Sequence, residues 1–252
     1  MDAQLVSTGM SSQGFKWTGG DTVDRQTGGL LEVVLGPPNF KSIWWLERAV
    51  ETARHVARVK LPNGSATGFL ISNNIFLTNN HVFENENDAR RAKLQFDYRL
   101  LANGDLADVD VWECDPDVLF HTNPALDYTI VKVKPKDEQD AGDVWGFFDP
   151  RHGVTISEGN RVNIIQHPQG RFKEIAFRDN QVKSVAESYV QYITDTDYGS
   201  SGSPVLDDSF RVVALHNQRV PDPNAPSRWY RNQGYRIEAI LEDAGPRIPE
   251  NL

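Results

Sequence analysis

Cysteine is almost absent from this chain of 252 residues. Its single cysteine, Cys114, excludes an intrachain disulfide and any zinc site built from cysteines alone. The fold must therefore be stabilised by its core. This favours a reducing, cytoplasmic location, although a chain without disulfides is also compatible with secretion.

Positive charge and long apolar runs are lacking as well. The sequence has 26 lysines and arginines against 35 aspartates and glutamates, for a formal net charge of −9. Binding to nucleic acid or to an anionic membrane surface needs a local positive excess, so we expect neither partner. The apolar runs are a few residues long, whereas a membrane-spanning helix needs about 20. The start of the sequence also lacks a basic-then-apolar leader pattern.

The chain is predicted to have four parts. The first is an extension rich in glycine, serine, threonine and glutamine, which we expect to be poorly ordered. The third is a polar connector punctuated by glycine and proline, and it separates two strand-rich regions. The parts are residues 1–41, the extension; residues 42–135, a helix and the first strand region; residues 136–155, the connector; and residues 156–252, the second strand region with a short C-terminal helix.

The first helix is predicted over residues 42–54. Apolar residues in the run IWWLERAVETARHV recur on one helical face, and Ser42 is placed to cap the N-terminus. A side chain of Trp44 or Trp45 left exposed would make this helix a candidate surface for a protein partner.

Beyond this helix the sequence consists mainly of short runs rich in β-branched and aromatic residues. Turn residues such as Pro62-Asn63-Gly64 separate these runs. The runs number about a dozen and do not alternate regularly with helices, which predicts an antiparallel all-β fold of barrels or a sandwich.

The run DYGSSGSPV, residues 197–205, is the most informative motif. Glycines two positions before Ser201 and directly after it permit a tight turn with unusual backbone angles. Such a turn can direct successive amide N–H groups into one cavity, where they would hold the oxyanion formed when a serine attacks a carbonyl. Ser200 and Ser203 are alternative nucleophiles that lack this pair of flanking glycines. On its own, the motif is equally typical of a turn between strands.

A histidine and an aspartate complete a set of groups suited to nucleophilic catalysis. His81 follows the run IFLTNN, and Asp127 begins the run DYTIVKV. With Ser201 they supply a base, an orienting carboxylate and a nucleophile. Other acidic residues and histidines are more typical of turns, strand surfaces or structural positions; these are Asp108, Asp110, Asp115, Asp117, His121 and His167.

These three motifs, in the order His, Asp, Ser, resemble the trypsin-like serine peptidases. The closer resemblance is to the disulfide-free bacterial branch that includes the glutamyl endopeptidases, and it extends over about residues 55–240. The resemblance implies two six-stranded antiparallel β-barrels, as in chymotrypsin. It also implies an endopeptidase that acts on protein or peptide substrates and needs no cofactor or metal ion.

Specific roles follow from the same resemblance. His81 would be the general base, Asp127 would orient it, and Ser201 would attack the scissile carbonyl. The backbone N–H groups of Gly199 and Ser201 would form the oxyanion hole.

The resemblance also places three residues at the pocket for the substrate side chain before the scissile bond. Thr196 and His216 match the pair with which glutamyl endopeptidases receive a carboxylate, and a hydroxyl with an imidazole N–H suits that group. Asp195 lies where trypsins carry the aspartate that binds lysine or arginine. We favour an acidic or polar substrate side chain and keep the basic preference as the alternative.

The residue before the nucleophile bears on activation. Digestive relatives have an aspartate there, which pairs with a newly cleaved amino terminus; this chain has Ser200, so it is not expected to be switched on in that way. Similar domains act as effectors of bacterial conflict systems, activated by a partner.

Two other functions stay open. One is a catalytically idle module that binds a peptide or protein partner, and the other is an esterase, which the motif spacing disfavours.

Overall fold

The computed structural model describes residues 40–151, 153–178, 180–223 and 230–248. The extension predicted over residues 1–41 lies outside these ranges, apart from its last two residues.

The chain divides into two compact units, residues 1–47 and 48–252. The described part of the first unit contains the start of helix α1 (Ile43–Ala53), which confirms the predicted first helix. Trp44 is 39% exposed and Trp45 only 4%. Of the two tryptophans, only Trp44 therefore has the exposure that a partner surface requires.

The second unit contains two antiparallel sheets. In the first sheet the strands lie in the order β5-β4-β1-β2-β3-β7-β6. Short helix α2 (Glu86–Arg91) lies between β3 and β4 in the sequence. The strand bounds are β1 (Val56–Leu61), β2 (Gly64–Leu70), β3 (Ile75–Thr78), β4 (Lys93–Phe96), β5 (Asp110–Trp112), β6 (Phe120–Asn123) and β7 (Tyr128–Lys132).

The second sheet has the order β10-β11-β14-β13-β12-β8-β9. Helix α3 (Ala141–Trp145) precedes it, and α4 (Ile237–Ala244) follows it as the predicted C-terminal helix. The strand bounds are β8 (Asn163–Gln166), β9 (Glu174–Ala176), β10 (Gln181–Val185), β11 (Tyr189–Ile193), β12 (Pro204–Leu206), β13 (Val212–Pro221) and β14 (Tyr230–Arg236). None of the described helices is long and apolar enough to cross a lipid bilayer.

The prediction of an all-β fold with two antiparallel halves is confirmed, with one difference in strand number. Within the described residues each sheet has seven strands, where the resemblance implied six. Strand β6 shows why counting is difficult: its sequence, FHTN, has no apolar alternation, and all four residues are partly buried. The predicted boundaries of the three parts, residues 42–135, 136–155 and 156–252, remain a prediction.

Each sheet covers its own apolar core. The first core includes Phe76, Phe83 and Phe96 from strands and the segments between them, and the second includes Val190 and Tyr192 on β11. These aromatic side chains are all less than 1% exposed. Because the two cores are separate, the segments between the sheets can contain polar side chains from both halves.

Three histidines of the second unit are buried and uncharged near neutral pH. Burial lowers the pKa of His55 and of His216 to about 4. Burial, with a further contribution from the charge of Lys173, lowers the pKa of His167 to about 3. His167 keeps one hydrogen bond, between Nδ1 and the Arg171 carbonyl, and its Nε2 has no described partner. Desolvation disfavours the charged ring in each case.

We therefore expect the free energy of unfolding to fall as the pH drops below about 6.5, the pKa of an unfolded histidine. Between that pH and the folded pKa, the unfolded chain binds more protons than the folded one. His167 alone should contribute a loss of about 2–3 kcal/mol between pH 7 and pH 4.5. Urea unfolding at both pH values measures this loss, and His167→Phe should make it smaller by that amount. An unchanged pH dependence in the variant would show that His167 is not buried as a neutral ring.

Candidate active site

His81 and Asp127 form a directly hydrogen-bonded pair. The His81 ring lies with Nδ1 2.8 Å from Asp127 Oδ2, and the His81 backbone N–H donates to Oδ1 at 2.9 Å. A carboxylate can only accept, so this geometry places the ring proton on Nδ1 and leaves the lone pair on Nε2. The His81 side chain is 47% exposed and that of Asp127 is 14% exposed. The basic nitrogen is therefore available to a reactant, while the orienting carboxylate is shielded.

The backbone around Asp127 is fixed by a side chain from the end of β3. Asp127 has a φ of +40°, a left-handed conformation that is uncommon outside glycine. Its carbonyl accepts a hydrogen bond from Asn79 Nδ2 at 2.9 Å, and Asn79 is fully buried. This support holds the turn that directs the carboxylate towards His81.

A third donor reaches the same carboxylate from the second sheet. Asn217 on β13 donates from Nδ2 to Asp127 Oδ2 at 2.5 Å, and Asn217 is buried. Three donors now bind the two carboxylate oxygens, which fixes the orientation of the group. The bond also links the His–Asp pair of the first sheet to the second sheet.

The segment that carries Ser201 has the tight turn that its glycines predict. Gly199 has a φ of +89° and Gly202 a φ of +84°. A Cβ atom on Gly202 would lie 2.0 Å from the Thr67 carbonyl oxygen, and one on Gly199 would lie 2.7 Å from the His167 carbonyl oxygen. Both positions therefore require glycine for two reasons, backbone conformation and close approach.

Backbone hydrogen bonds from both sheets hold this segment. The Ser201 carbonyl accepts from the Thr67 N–H of β2 at 2.9 Å. On the other side, Gly202 N–H donates to the His216 carbonyl and His216 N–H donates to the Ser203 carbonyl. Since Asn217 follows His216 and binds Asp127, the serine segment and the His–Asp pair belong to one connected set of elements. Within the described residues, however, no hydrogen bond joins the Ser201 hydroxyl to the His81 ring.

The three serines of the motif differ in exposure. Ser200 and Ser203 are fully buried, whereas Ser201 is partly exposed. The Ser200 hydroxyl accepts a hydrogen bond from the Asp197 N–H at 3.2 Å, while the Ser203 hydroxyl has no described partner. Ser201 is thus the hydroxyl of this motif that a substrate could reach.

Two N–H groups beside Ser201 are available as donors. No described residue accepts from the N–H of Gly199 or of Ser201, whereas Ser200 N–H donates to the Asp197 carbonyl. The Tyr198 carbonyl accepts from a different donor, the Gln169 N–H. The arrangement is suited to holding a developing oxyanion.

The residues predicted to line the side-chain pocket are held by partners on neighbouring strands. The Thr196 hydroxyl donates to Asn232 Oδ1 at 2.9 Å, and Asn232 Nδ2 donates to the Thr194 carbonyl. His216 Nδ1 and the Tyr192 hydroxyl form a hydrogen bond of 2.8 Å in the buried part of the sheet. Burial, assisted by the nearby His81, lowers the pKa of His216 to about 4, so at neutral pH this ring is an uncharged hydrogen-bonding group.

Asp195 has a different environment. Its carbonyl accepts from Gln166 Nε2 at 3.0 Å, but its side chain is exposed and no described residue bonds the carboxylate. An aspartate that receives a basic substrate side chain at the base of a deep pocket would be shielded from water. This position has no such shielding.

Sequence reasoning missed the supporting residues Asn217, Asn232 and Tyr192. Asn217 directly follows His216, which the resemblance did single out, but a strand places neighbouring side chains on opposite faces. Nothing in the local sequence indicates that both would serve the site. In the described ranges, no group of three or more His, Cys, Asp or Glu side chains could hold a metal ion.

Two antiparallel sheets, a His–Asp pair and a glycine-flanked serine between them define the chymotrypsin-like class of fold. A family model described as the trypsin-like peptidase domain matches residues 66–215. This match covers more than half of the chain, which therefore belongs to the trypsin-like peptidase family.

The chain is also similar to two curated proteins and to a solved peptidase structure. The chain is 32% identical over 264 residues to the uncharacterized protein y4fB of Sinorhizobium fredii, covering 87% of this chain and 40% of that protein. It is 32% identical over 182 residues to the secreted RxLR effector protein 73 of Plasmopara viticola, covering 63% of this chain and 43% of that protein. The chain thus spans less than half the length of these two relatives. A Glu endopeptidase solved in complex with MPD shares the fold, with a TM-score of 0.55, 20% identity, and coverage of 76% of this chain and 88% of that one.

Proposed function

We propose that this chain is a serine endopeptidase that hydrolyses peptide bonds through an acyl-enzyme formed on Ser201. One observation carries the proposal: a histidine with its Nδ1 proton bound to a shielded carboxylate belongs to the same connected set of elements as a glycine-flanked, accessible serine. This combination supplies the base and the nucleophile that acyl transfer requires.

The proposed reaction proceeds in two halves. His81 Nε2 takes the proton of the Ser201 hydroxyl as Oγ attacks the substrate carbonyl carbon, and the N–H groups of Gly199 and Ser201 hold the resulting oxyanion. The protonated ring then gives its proton to the leaving amine, and the C–N bond breaks to leave an ester on Ser201. In the second half, His81 takes a proton from a water molecule as the water oxygen attacks the ester carbonyl carbon. The ring then returns this proton to Ser201 Oγ as the ester C–O bond breaks and the acid product leaves. Asp127 keeps the ring in one tautomer and stabilises its charged form throughout.

Asn217 is proposed to act through Asp127 as a positioning residue. Its Nδ2 shares Oδ2 with the His81 ring, so its removal leaves the carboxylate held by His81 alone and less firmly oriented. We expect Asn217→Ala to lower kcat/KM by about 10-fold, with Asn217→Ser restoring part of the rate. The loss should lie in kcat with KM little changed, because Asn217 positions the carboxylate of the His–Asp pair and is not proposed to contact the substrate. A normal kcat in the alanine variant would limit Asn217 to packing.

Preference for an acidic or polar side chain before the scissile bond is proposed from Thr196 and His216. Thr196 presents a hydroxyl on Asn232, and His216 presents an uncharged ring whose Nε2 has no described partner. The exposure of Asp195 supports this assignment over a preference for lysine or arginine.

A fluorogenic peptide library tests the proposed hydrolysis. The intact chain should cleave a subset of peptides, and His81→Ala should abolish cleavage. His121→Ala is a matched control, because His121 also bonds a neighbouring side chain, Tyr128, and lies outside the proposed machinery. Cleavage that persists in the His81 variant would contradict the proposal.

The alternative function is an idle module that binds a peptide or protein partner. The lack of a hydrogen bond between Ser201 and His81 is the observation that favours it, although such bonds often form only with substrate bound. Saturable binding of library peptides without cleavage, even after addition of cell extract, would select this alternative.

Control of the activity by a partner is a further part of the proposal. Ser200 cannot make the ion pair that an aspartate would make there, and its hydroxyl instead accepts from the Asp197 N–H. We therefore expect an activating protein partner, as for an effector of a bacterial defence or stress system in the cytoplasm. Stimulation of cleavage by extract from the native host, but not by heated extract, would support this expectation.

A further inference from the structure

Strand β13 contains an irregularity beside the candidate site. On β13, His216 pairs with Gly234 of β14. The next pairs are Gln218 with Gln233 and Arg219 with Asn232. Two steps along β14 thus correspond to three along β13, and Asn217 is the extra residue. Such a bulge changes where the following side chains point.

The consequence is that Arg219 lies on the same face as His216. In a regular strand, residues three apart point to opposite faces, but the bulge removes one step from this count. Cross-strand pairing gives the same result, because Tyr192, Asn232 and Arg219 form one row across β11, β14 and β13. Residues in such a row project from one face of the sheet.

Side-chain contacts identify this face as the one that carries the pocket. Tyr192 in that row bonds the His216 ring, and Asn232 accepts from the Thr196 hydroxyl. Arg219 therefore lies in the row whose other members bond both residues that are proposed to receive the substrate side chain.

The guanidinium group of Arg219 is available to bind a ligand. Arg219 is exposed, and its guanidinium lies over the Tyr230 ring at 5.1 Å from the ring centre. Among the described residues, no carboxylate forms an ion pair with it. An arginine oriented by an aromatic face and lacking an acidic partner is well suited to bind a carboxylate.

We infer that Arg219 is a specificity residue that directs this protease to substrates with an acidic side chain beside the scissile bond. The inference rests on the proposed function, and it adds a positive charge to the uncharged Thr196 and His216. His216 is uncharged at neutral pH, so it can hydrogen-bond a glutamate and a glutamine equally well. Arg219 favours the charged side chain of this pair.

Peptides that differ only in the residue before the scissile bond, as Glu, Gln or Lys, test the inference. We expect the intact chain to show a Glu-to-Gln ratio of kcat/KM of about 10 at low salt, falling as salt screens the interaction. Arg219→Gln should reduce this ratio to about 1–2, and Arg219→Lys should retain part of it. Arg178→Gln is the matched control, because Arg178 also lies over an aromatic ring, that of Phe177, and follows the edge strand β9. Its ratio should equal that of the unmodified chain.

Two results of this comparison would overturn the inference. One is a Glu-to-Gln ratio that is the same with and without Arg219. The other is a preference for lysine that disappears in Asp195→Asn.

A binding measurement separates this inference from the proposed hydrolysis. In the Ser201→Ala background, calorimetry with product peptides ending in Glu or Gln reports recognition without chemistry. Tighter binding of the Glu peptide by about 10-fold, lost in Arg219→Gln, would support the inference even if the unmodified chain cleaves no peptide. Equal affinities for the two peptides, or no binding of either, would overturn it even if cleavage occurs.

Discussion

Replacing Ser201 with alanine is expected to lower kcat/KM for peptide hydrolysis by about 10⁴-fold or more, because the variant has no hydroxyl with which to form the acyl-enzyme. The two free N–H groups beside it remain, so a small residual rate over the uncatalysed reaction should persist. Initial rates with the most rapidly cleaved library peptide measure the effect.

Neighbouring serines provide the control for this experiment. The Ser203 hydroxyl is buried and has no described partner, so Ser203→Ala removes no hydrogen bond seen in the structure. This variant should keep most of the activity. Loss of activity in Ser203→Ala, with activity retained in Ser201→Ala, would transfer the nucleophile to the buried position and contradict the proposed site. Thermal unfolding of both variants shows that they are folded.

The second large effect is expected at Asp127. Asp127→Asn should lower kcat by about 10⁴-fold, since an amide cannot accept from all the groups that now donate to the carboxylate. Both the His81 ring and the Asn217 amide direct N–H groups at Oδ2. An amide nitrogen placed there would meet donors, and an amide oxygen placed there would leave the nitrogen facing the His81 backbone N–H at the other position. The first orientation favours the tautomer in which Nδ1 carries no proton, which removes the base from Nε2, and the second is disfavoured by the two N–H groups that it brings together.

Asp117→Asn is the matched control for that variant. Asp117 is exposed and pairs with Arg90, and such a surface ion pair contributes little to stability. Stopped-time assays at saturating peptide should give a near-normal rate for this control. A near-normal rate for Asp127→Asn would show that the hydrogen-bonded carboxylate has no part in the chemistry.

The sequence predicts those parts of the fold that depend on local patterns. The amphipathic face of α1 and the short β-rich runs follow from periodicity, because each element must bury one face. The left-handed glycines at 199 and 202 follow from the motif itself, since few other residues tolerate that conformation. Strand β6 does not follow, because FHTN forms a strand only through its pairing with β7.

The candidate site could be predicted only as far as its motifs extend. His81, Asp127 and Ser201 lie in recognisable runs, so their residue types and order were enough to group them. Asn217 could not be found in this way, because its bond to Asp127 spans 90 positions and depends on a bulge. Arg219 depends on the same bulge, which reverses the face that simple alternation would assign to it. The pairing register therefore decides which polar side chains face the pocket, and local sequence patterns do not reveal this register.

Covalent trapping followed by peptide mapping identifies which serine is the nucleophile. The folded chain is treated with diisopropyl fluorophosphate, and the digest is searched for the phosphoryl adduct across residues 194–205. We predict a single adduct on Ser201, which forms rapidly in the unmodified chain and slowly in His81→Ala. An adduct on Ser200 or Ser203, or no adduct on a folded chain that nevertheless cleaves peptides, would contradict it.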